Sequence, residues 1–131
     1  GYSLPSGIVA ALESPERLSI VVTGDGEFMM NEAELSTSIR YDAPVLIILM
    51  DNQQFGTIRQ HQEAHYPDRV SGTQLQNPDF AALANAFGAH GIRITSNNDI
   101  KASVTEAMQV VTEERKTVLL HVITDPEELM P

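Results

Sequence analysis

The sequence predicts an α/β fold, a parallel β-sheet with helices on both faces. Two β-branched apolar runs, 18–22 and 44–50, each end in a polar, turn-like stretch. Segments with helical apolar spacing alternate with these runs, and a further apolar run at 117–123 is the last strand. Strands alternating with helices imply a parallel sheet whose two faces are both covered.

The elements follow in order. Residues 6–12 read as a short helix behind Pro5. Leu18 to Val22 is a buried strand stopped by Gly24-Asp25-Gly26. Asn31 is placed to cap a helix running to about Arg40, with Glu34 three positions on as the capping-box partner. Pro44 to Met50 is the second buried strand, and Asp51 to Gly56 a polar turn. Residues 57–76 read as irregular, with turn signals at Tyr66-Pro67 and Ser71-Gly72. Asn77-Pro78 reads as cap and first helical residue. Phe80, Leu83, Ala84 and Phe87 then fall on one helical face, and Gly88 ends the helix. Gly91 to Thr95 is a short strand, and Ile100 to Val111 an amphipathic helix. Thr117 to Ile123 is the last strand, followed by an acidic tail from Asp125 to Pro131. His90 falls in a turn and His121 in a strand, both as structural residues, and Glu113 to Lys116 and Glu127-Glu128 read as solvated charge.

Composition bounds the function. The 131 residues suit one domain, and eight Lys+Arg against eighteen Asp+Glu give a net charge of −10. That balance argues against nucleic acid or an anionic membrane as a partner, while leaving room for a local anion site built from backbone N–H groups. With no Cys, disulfides and thiolate metal sites are excluded, which fits a reducing compartment. No apolar run reaches the ~20 residues that span a bilayer.

Ligands of such sheets bind outside the carboxyl ends of the strands. Two strands here end in chemistry. If they are neighbours, Asp25 and Asn52 face each other over the sheet edge. A carboxylate and an amide oxygen suit Mg²⁺, which takes one or two protein ligands and completes its octahedron with phosphate and water. Gly24, Gly26 and Gly56 allow backbone to approach phosphate oxygens closely. The expectation is a Mg²⁺-bridged diphosphate site; the plain alternative is a turn and a loop residue. A dinucleotide fingerprint fits less well, because its third glycine falls on Met29 and Asp25 sits where a pyrophosphate must approach. His61 and His65 lie four apart in a segment that reads as loop, and no carboxylate completes a metal site with them. Met29, Met30 and Met50 lie near the proposed site and are read as packing residues.

Gly24-Asp25-Gly26, twenty-five residues, then Asn52 resembles the thiamine-diphosphate motif, GDG followed at about this spacing by NN. Gly1-Tyr2-Ser3-Leu4-Pro5, Phe28-Met29-Met30-Asn31, Glu34-Leu35, Pro44-Val45 and Asn77-Pro78-Asp79-Phe80 are similar to the acetolactate-synthase group of these enzymes. The resemblance covers nearly the whole chain and implies the thiamine-diphosphate-binding fold, specifically the C-terminal PP module. It implies that Asp25 and the Asn52 side chain ligate Mg²⁺ and that Gln54 does so through its main-chain carbonyl. Gly26, Glu27 and Gly56 would offer backbone to the diphosphate, with Gly24, Phe55 and Thr57 completing the cofactor-binding set. Asp51 departs from the usual Asn, which changes the hydrogen bonds beside the metal ligand.

The same resemblance implies a larger, three-domain subunit, of which residues 1–131 would be the PP domain, cut short at its N-terminus and lacking an early strand. The pyrimidine-binding and middle domains would be its partners, and the activating glutamate would come from the pyrimidine-binding domain of another subunit in a homodimer or homotetramer. The parent would be a cytoplasmic lyase or transferase that decarboxylates 2-oxo acids or ligates carbon–carbon bonds, and the chain alone would be inactive. A different class, a non-catalytic doubly wound nucleotide-binding or interaction module, is separated from this one by whether thiamine diphosphate and Mg²⁺ raise the melting temperature. Typical acetolactate synthases read G-M-V-x-Q-W-Q after the metal loop. Here Gly56-Thr57-Ile58-Arg59-Gln60-His61-Gln62 puts Thr57 for Met and His61 for the channel-lining Trp, so the acceptor that can approach is expected to differ.

Overall fold

The computed structural model describes residues 1–127. Strands β1 (Ser19–Gly24), β2 (Val45–Asp51), β3 (His90–Ile94) and β4 (Val118–Ile123) form one parallel sheet in the order β1-β2-β4-β3. The expected parallel α/β architecture is present. β1 and β2 are neighbours, with Gly24 opposite Met50, so the two polar strand ends lie side by side.

The alternation of each strand divides the core in two. Val21, Val45, Ile47, Leu49 and Leu119 point to one face. There they meet Leu4, Ile8 and Ala11 of helix α1 (Ser3–Glu13), Phe28 of the short helix α2 (Asp25–Phe28), Leu35 of α3 (Leu35–Arg40), and Phe80 and Ala84 of a later helix (Phe80–Phe87). Leu46, Val118, Leu120 and Ile94 point the other way, onto Ala107, Val110 and Val111 of the last helix (Ile100–Glu113). That second face is covered over β2, β4 and β3 and open over β1, where Ile20 is 54% and Val22 64% exposed.

Several local expectations are corrected. Residues 56–65 are helical: α4 runs Gly56–His65. Its sequence shows no apolar stripe, so periodicity misses it. It is held instead by good helix formers and by the Arg59–Glu63 pair one turn apart, 3.0 Å. The helix α5 (Phe80–Phe87) is capped by Asp79, whose carboxylate accepts the Ala82 N–H at 3.0 Å; Asn77 and Pro78 precede the cap. Gly88 ends it at φ 92°, a left-handed conformation that suits glycine. The Asn31 capping box does not form: a 3-10 turn (Glu32–Glu34) precedes α3, the Asn31 amide donates to the Gly1 carbonyl, and Glu34 accepts from Thr37. His90 opens β3 and contacts Glu106 of α6 (Ile100–Glu113) at 2.8 Å. Glu127 is paired with Arg59 at 3.1 Å, and Glu128 lies outside the described residues.

Candidate metal and diphosphate site

Strand alternation delivers the site. On β2, Val45, Ile47 and Leu49 fill the core, and the next residue on that face is Asp51, at the strand's carboxyl end. On β4, Leu119 fills the core and the next residue on that face is His121. β1 ends at Gly24, and the chain turns at once into α2, whose first residue is Asp25. Asp25, Asp51 and His121 are 2%, 3% and 1% exposed. Three ionisable groups are thus gathered under the sheet's carboxyl edge.

Their hydrogen bonds separate the two carboxylates. Asp51 Oδ1 accepts from the Gln53 N–H at 3.0 Å and from the Asn77 amide at 2.7 Å. Its Oδ2 lies 2.7 Å from His121 Nε2, which must donate because a carboxylate only accepts. Asp25 accepts once on each oxygen, from the Gly26 N–H at 2.8 Å and from the Asn77 amide at 2.7 Å. Each Asp25 oxygen thus takes one N–H, and the Asp51 carboxyl lies within hydrogen-bonding reach beside it. Burial raises the Asp25 pKa, the bonds from Asn77 and Gly26 only partly offset this, and the neighbouring Asp51 raises it further. Burial also pushes Asp51 upward, but the bonds from His121, Asn77 and Gln53 outweigh it and hold Asp51 below the ordinary carboxylate value. Asp51 is thus the carboxylate whose charge the fold satisfies, and Asp25 the one whose charge burial disfavours.

Eight of the nine expected residues, Gly24, Asp25, Gly26, Glu27, Gln54, Phe55, Gly56 and Thr57, line a single open cleft of about 320 Å³. A Cβ on Gly24 would point into open space, whereas one on Gly26 would lie 2.4 Å from the Phe55 ring. The glycine at 26 is thus required by packing, and the one at 24 leaves room at the cleft. Asn52 lines the adjoining hollow beside Asp51, and Gln54 borders both spaces. The Asn52 amide oxygen accepts from the Gln54 N–H at 3.2 Å and keeps a free lone pair. Gln53 between them turns the chain at φ 57°.

This loop is clamped from outside. Phe55 N–H donates to Thr73 and Leu75 N–H to Gln53, both at 2.8 Å, and Gln54 bridges to Gln74 in antiparallel fashion. The Gln54 side chain donates to the Pro126 carbonyl and accepts from Arg59 at 3.0 Å. The clamping stretch ends at Asn77, which thereby reaches both carboxylates.

Sequence reasoning missed three features. Asn77 reads as a helix cap, but its side chain is in the site; His121 reads as structural, but it carries Asp51. The third is the first turn of α4, which borders the cleft and holds no acidic residue. Period-two counting from Leu49 to Asp51 and from Leu119 to His121 could have paired the last two residues. The Glu27 side chain, apart from the backbone role expected of this residue, accepts the Ser3 and Tyr2 N–H groups at 3.0 and 3.2 Å and so caps α1. His61 and His65 are exposed and stacked on α4 at 6.2 Å, and among the described residues no group of three or more His, Cys, Asp or Glu could hold a metal. The Asp25 carboxylate, the Asn52 amide oxygen and the Gln54 main-chain carbonyl are hard oxygen donors of the kind Mg²⁺ takes, with Asp25 on the cleft, Asn52 on the adjoining hollow and Gln54 bordering both. No helix of the described residues is long and apolar enough to cross a membrane.

Comparison with known proteins shows the family of the chain. The family described as thiamine pyrophosphate enzyme, C-terminal TPP binding domain, matches residues 1–122. The chain is 40% identical over 129 residues to the large subunit of acetolactate synthase isozyme 2 of Escherichia coli (strain K12), covering 98% of this chain and 23% of that protein. It is 37% identical over 132 residues to a probable acetolactate synthase large subunit of Methanocaldococcus jannaschii, covering 100% of this chain and 22% of that protein. The fold superposes with a TM-score of 0.88 on crystalline benzoylformate decarboxylase from Polynucleobacter necessarius, at 24% identity over 100% of this chain and 24% of that one. The chain spans under a quarter of the length of these curated relatives, which therefore carry further domains. With its cleft at the carboxyl ends of β1 and β2, the chain belongs to the C-terminal TPP-binding domains of the thiamine pyrophosphate enzymes.

Proposed function

We propose that this domain anchors the diphosphate of thiamine diphosphate through Mg²⁺, within an enzyme that decarboxylates 2-oxo acids or joins carbon–carbon bonds. The observation that carries the reading is Asp25: a buried carboxylate on a glycine-lined cleft, each of whose oxygens takes only one N–H. Asp25, Asn52 through its side chain and Gln54 through its carbonyl would hold the cation. When bound, the cofactor supplies the nucleophile and electron sink for chemistry at a carbonyl carbon.

The chain's own residues do the rest. Asp25, Asn52 and Gln54 would seat the cation between the Asp25 carboxylate and a phosphate that this carboxylate would otherwise repel, and the cation would supply charge neutralisation as a template. Gly24 leaves the cleft floor open, and the Gly26, Glu27, Gly56 and Thr57 backbone borders it. At the N-terminus of α4 the Gly56 N–H donates to the Gln54 carbonyl at 2.9 Å, and the helix adds a favourable dipole to the same edge. Phe55 packs over Gly26 and fixes the height of the loop.

The activating glutamate would come from the pyrimidine-binding domain of another subunit in a cytoplasmic homodimer or homotetramer, whose subunits also hold a middle domain, so residues 1–131 alone would not turn over substrate. Thr57 lines the cleft, and the exposed His61 lies about one turn further along α4. The channel beside the cofactor would then be smaller-walled and more polar than one built with Trp, and the acceptor different. The test is calorimetry of the whole protein with thiamine diphosphate at saturating Mg²⁺. Binding should require the metal and vanish in Asp25→Ala; metal-independent binding, or binding retained by that variant, would refute the proposal.

A further inference from the structure

Beneath the cleft runs a buried chain of partners that the diphosphate site itself does not use. His121 donates to Asp51, and Asp51 accepts from Asn77. The same Asn77 nitrogen donates its second hydrogen to Asp25. The amide's two N–H bonds are thus shared between two carboxylates, while its oxygen is buried without a partner. That is an unusual use of an amide. It fixes which end of Asn77 faces Asp25, because turning it over would set an acceptor against two acceptors.

The chain stops at His121. Its Nδ1 is buried without a hydrogen-bond partner, and the nearest carboxylate, Asp79, is 3.7 Å away, beyond hydrogen-bonding distance. The imidazole is held edge-to-face against Phe80, centroids 5.2 Å apart, and Phe80 in turn against Phe28 of α2 at 5.6 Å. The ring is therefore locked by packing, and its one polar bond goes to Asp51.

Resting on the reading that Asp25 is the metal ligand, we propose that His121 and Asn77 are positioning residues for it. His121 supplies the donor that lets Asp51 remain a buried anion. Asp51 holds one hydrogen of the Asn77 amide, and the other holds the Asp25 carboxylate in place where it lines the cleft. Asp51, which stands where the resemblance expects Asn, and His121 on β4 are then a matched pair: the acceptor at 51 requires a donor at 121. Partners of this kind behind a metal ligand commonly change metal affinity 10–100-fold when removed.

The experiment measures, in the whole protein, the Mg²⁺ concentration that half-saturates binding of thiamine diphosphate, read by calorimetry, with melting temperature recorded separately. Asn77→Ala and His121→Leu should each raise that concentration about tenfold or more. His121→Gln, whose amide can donate to Asp51 from nearly the same place, should bring it back to within about threefold of the original, a rescue that a purely space-filling role does not predict. Asp51→Asn removes the buried charge, which also guards against a His121→Leu chain that will not fold. In that background His121→Leu should cause no further loss of metal affinity. An equal further loss there, or no loss in Asn77→Ala, would overturn the inference. If the unaltered protein shows no metal-dependent binding at all, the Mg²⁺ reading fails instead, so the two failures are distinct.

Discussion

At Asp25 stability and function pull in opposite directions. The carboxylate is buried, and burial with a nearby Asp51 raises its pKa, so ionising it costs folding free energy. The sign follows: with the folded value above the ordinary 3.8, the metal-free protein loses stability as pH rises from about 3.8 through the raised value. Asp25→Asn should therefore raise the melting temperature of metal-free protein at neutral pH and abolish the further rise produced by Mg²⁺ with thiamine diphosphate. A fall in metal-free melting temperature would show that the ionised carboxylate is already fully satisfied.

Asp79 behaves in the opposite way. The Ala82 N–H at the α5 cap, helped by the Arg93 charge, holds it below the ordinary 3.8. Its contribution is complete above about 3.8 and is lost as pH falls through the lower, folded value. Asp79→Ala should cost about 1 kcal/mol at neutral pH through the lost cap. Asp79→Asn keeps a capping oxygen, so it should cost less and flatten the decline in stability at acid pH, as measured by denaturant melts across pH 2 to 6 (roughly the range that brackets a carboxylate titration).

At the scale of elements, α5 and β3 are packed at a backbone-to-backbone limit. A Cβ on Gly91 would lie 2.1 Å from the Ala81 carbonyl oxygen of α5. Neither partner is a flexible side-chain end, so Gly91→Ala should destabilise by about 1–3 kcal/mol or more, read from equilibrium unfolding. α5 also carries Asp79 and Phe80, which face Arg93 and His121. That variant should therefore weaken cofactor binding as well. The edge strand β1 is the contrasting case. Ile20 and Val22 face solvent on the side that α6 leaves uncovered, so replacing both with Lys should change this chain's stability by no more than about 0.5 kcal/mol each while reducing self-association in sedimentation. Unchanged association would mean that this face is not the sticky one.

Across the whole molecule, the sequence was most readable where one face of an element is apolar. β1, β2, β4 and α6 have their expected type and nearly their expected bounds because alternation or a helical stripe marks them. α4 was missed because it buries no residue: charge pairing and helix-forming side chains hold it, and neither leaves a periodic signal. The site divides in the same manner. Asp25, Asn52, Gly24, Gly26 and Gly56 were legible from strand ends and glycines, whereas Gln54, Phe55 and Thr57 entered only through the family resemblance. Asn77 was not legible, because it arrives from an irregular stretch whose path is set by backbone bonds to Gln53 and Phe55, contacts that no local pattern encodes. His121 was visible as a residue but not as a partner, since only the register of β2 with β4 brings it beside Asp51.

The central claim concerns one cation and its three oxygen donors, and a crystal of the whole protein grown with thiamine diphosphate and Mn²⁺ tests it most directly, because Mn²⁺ shares the octahedral oxygen preference of Mg²⁺ and scatters anomalously. A single strong anomalous peak should appear at bonding distance, roughly 2.1 Å or slightly more, from an Asp25 carboxylate oxygen, the Asn52 amide oxygen and the Gln54 carbonyl, with diphosphate oxygens completing the shell. A peak bound instead to Asp51, or diphosphate density in the cleft with no metal between it and Asp25, would contradict it.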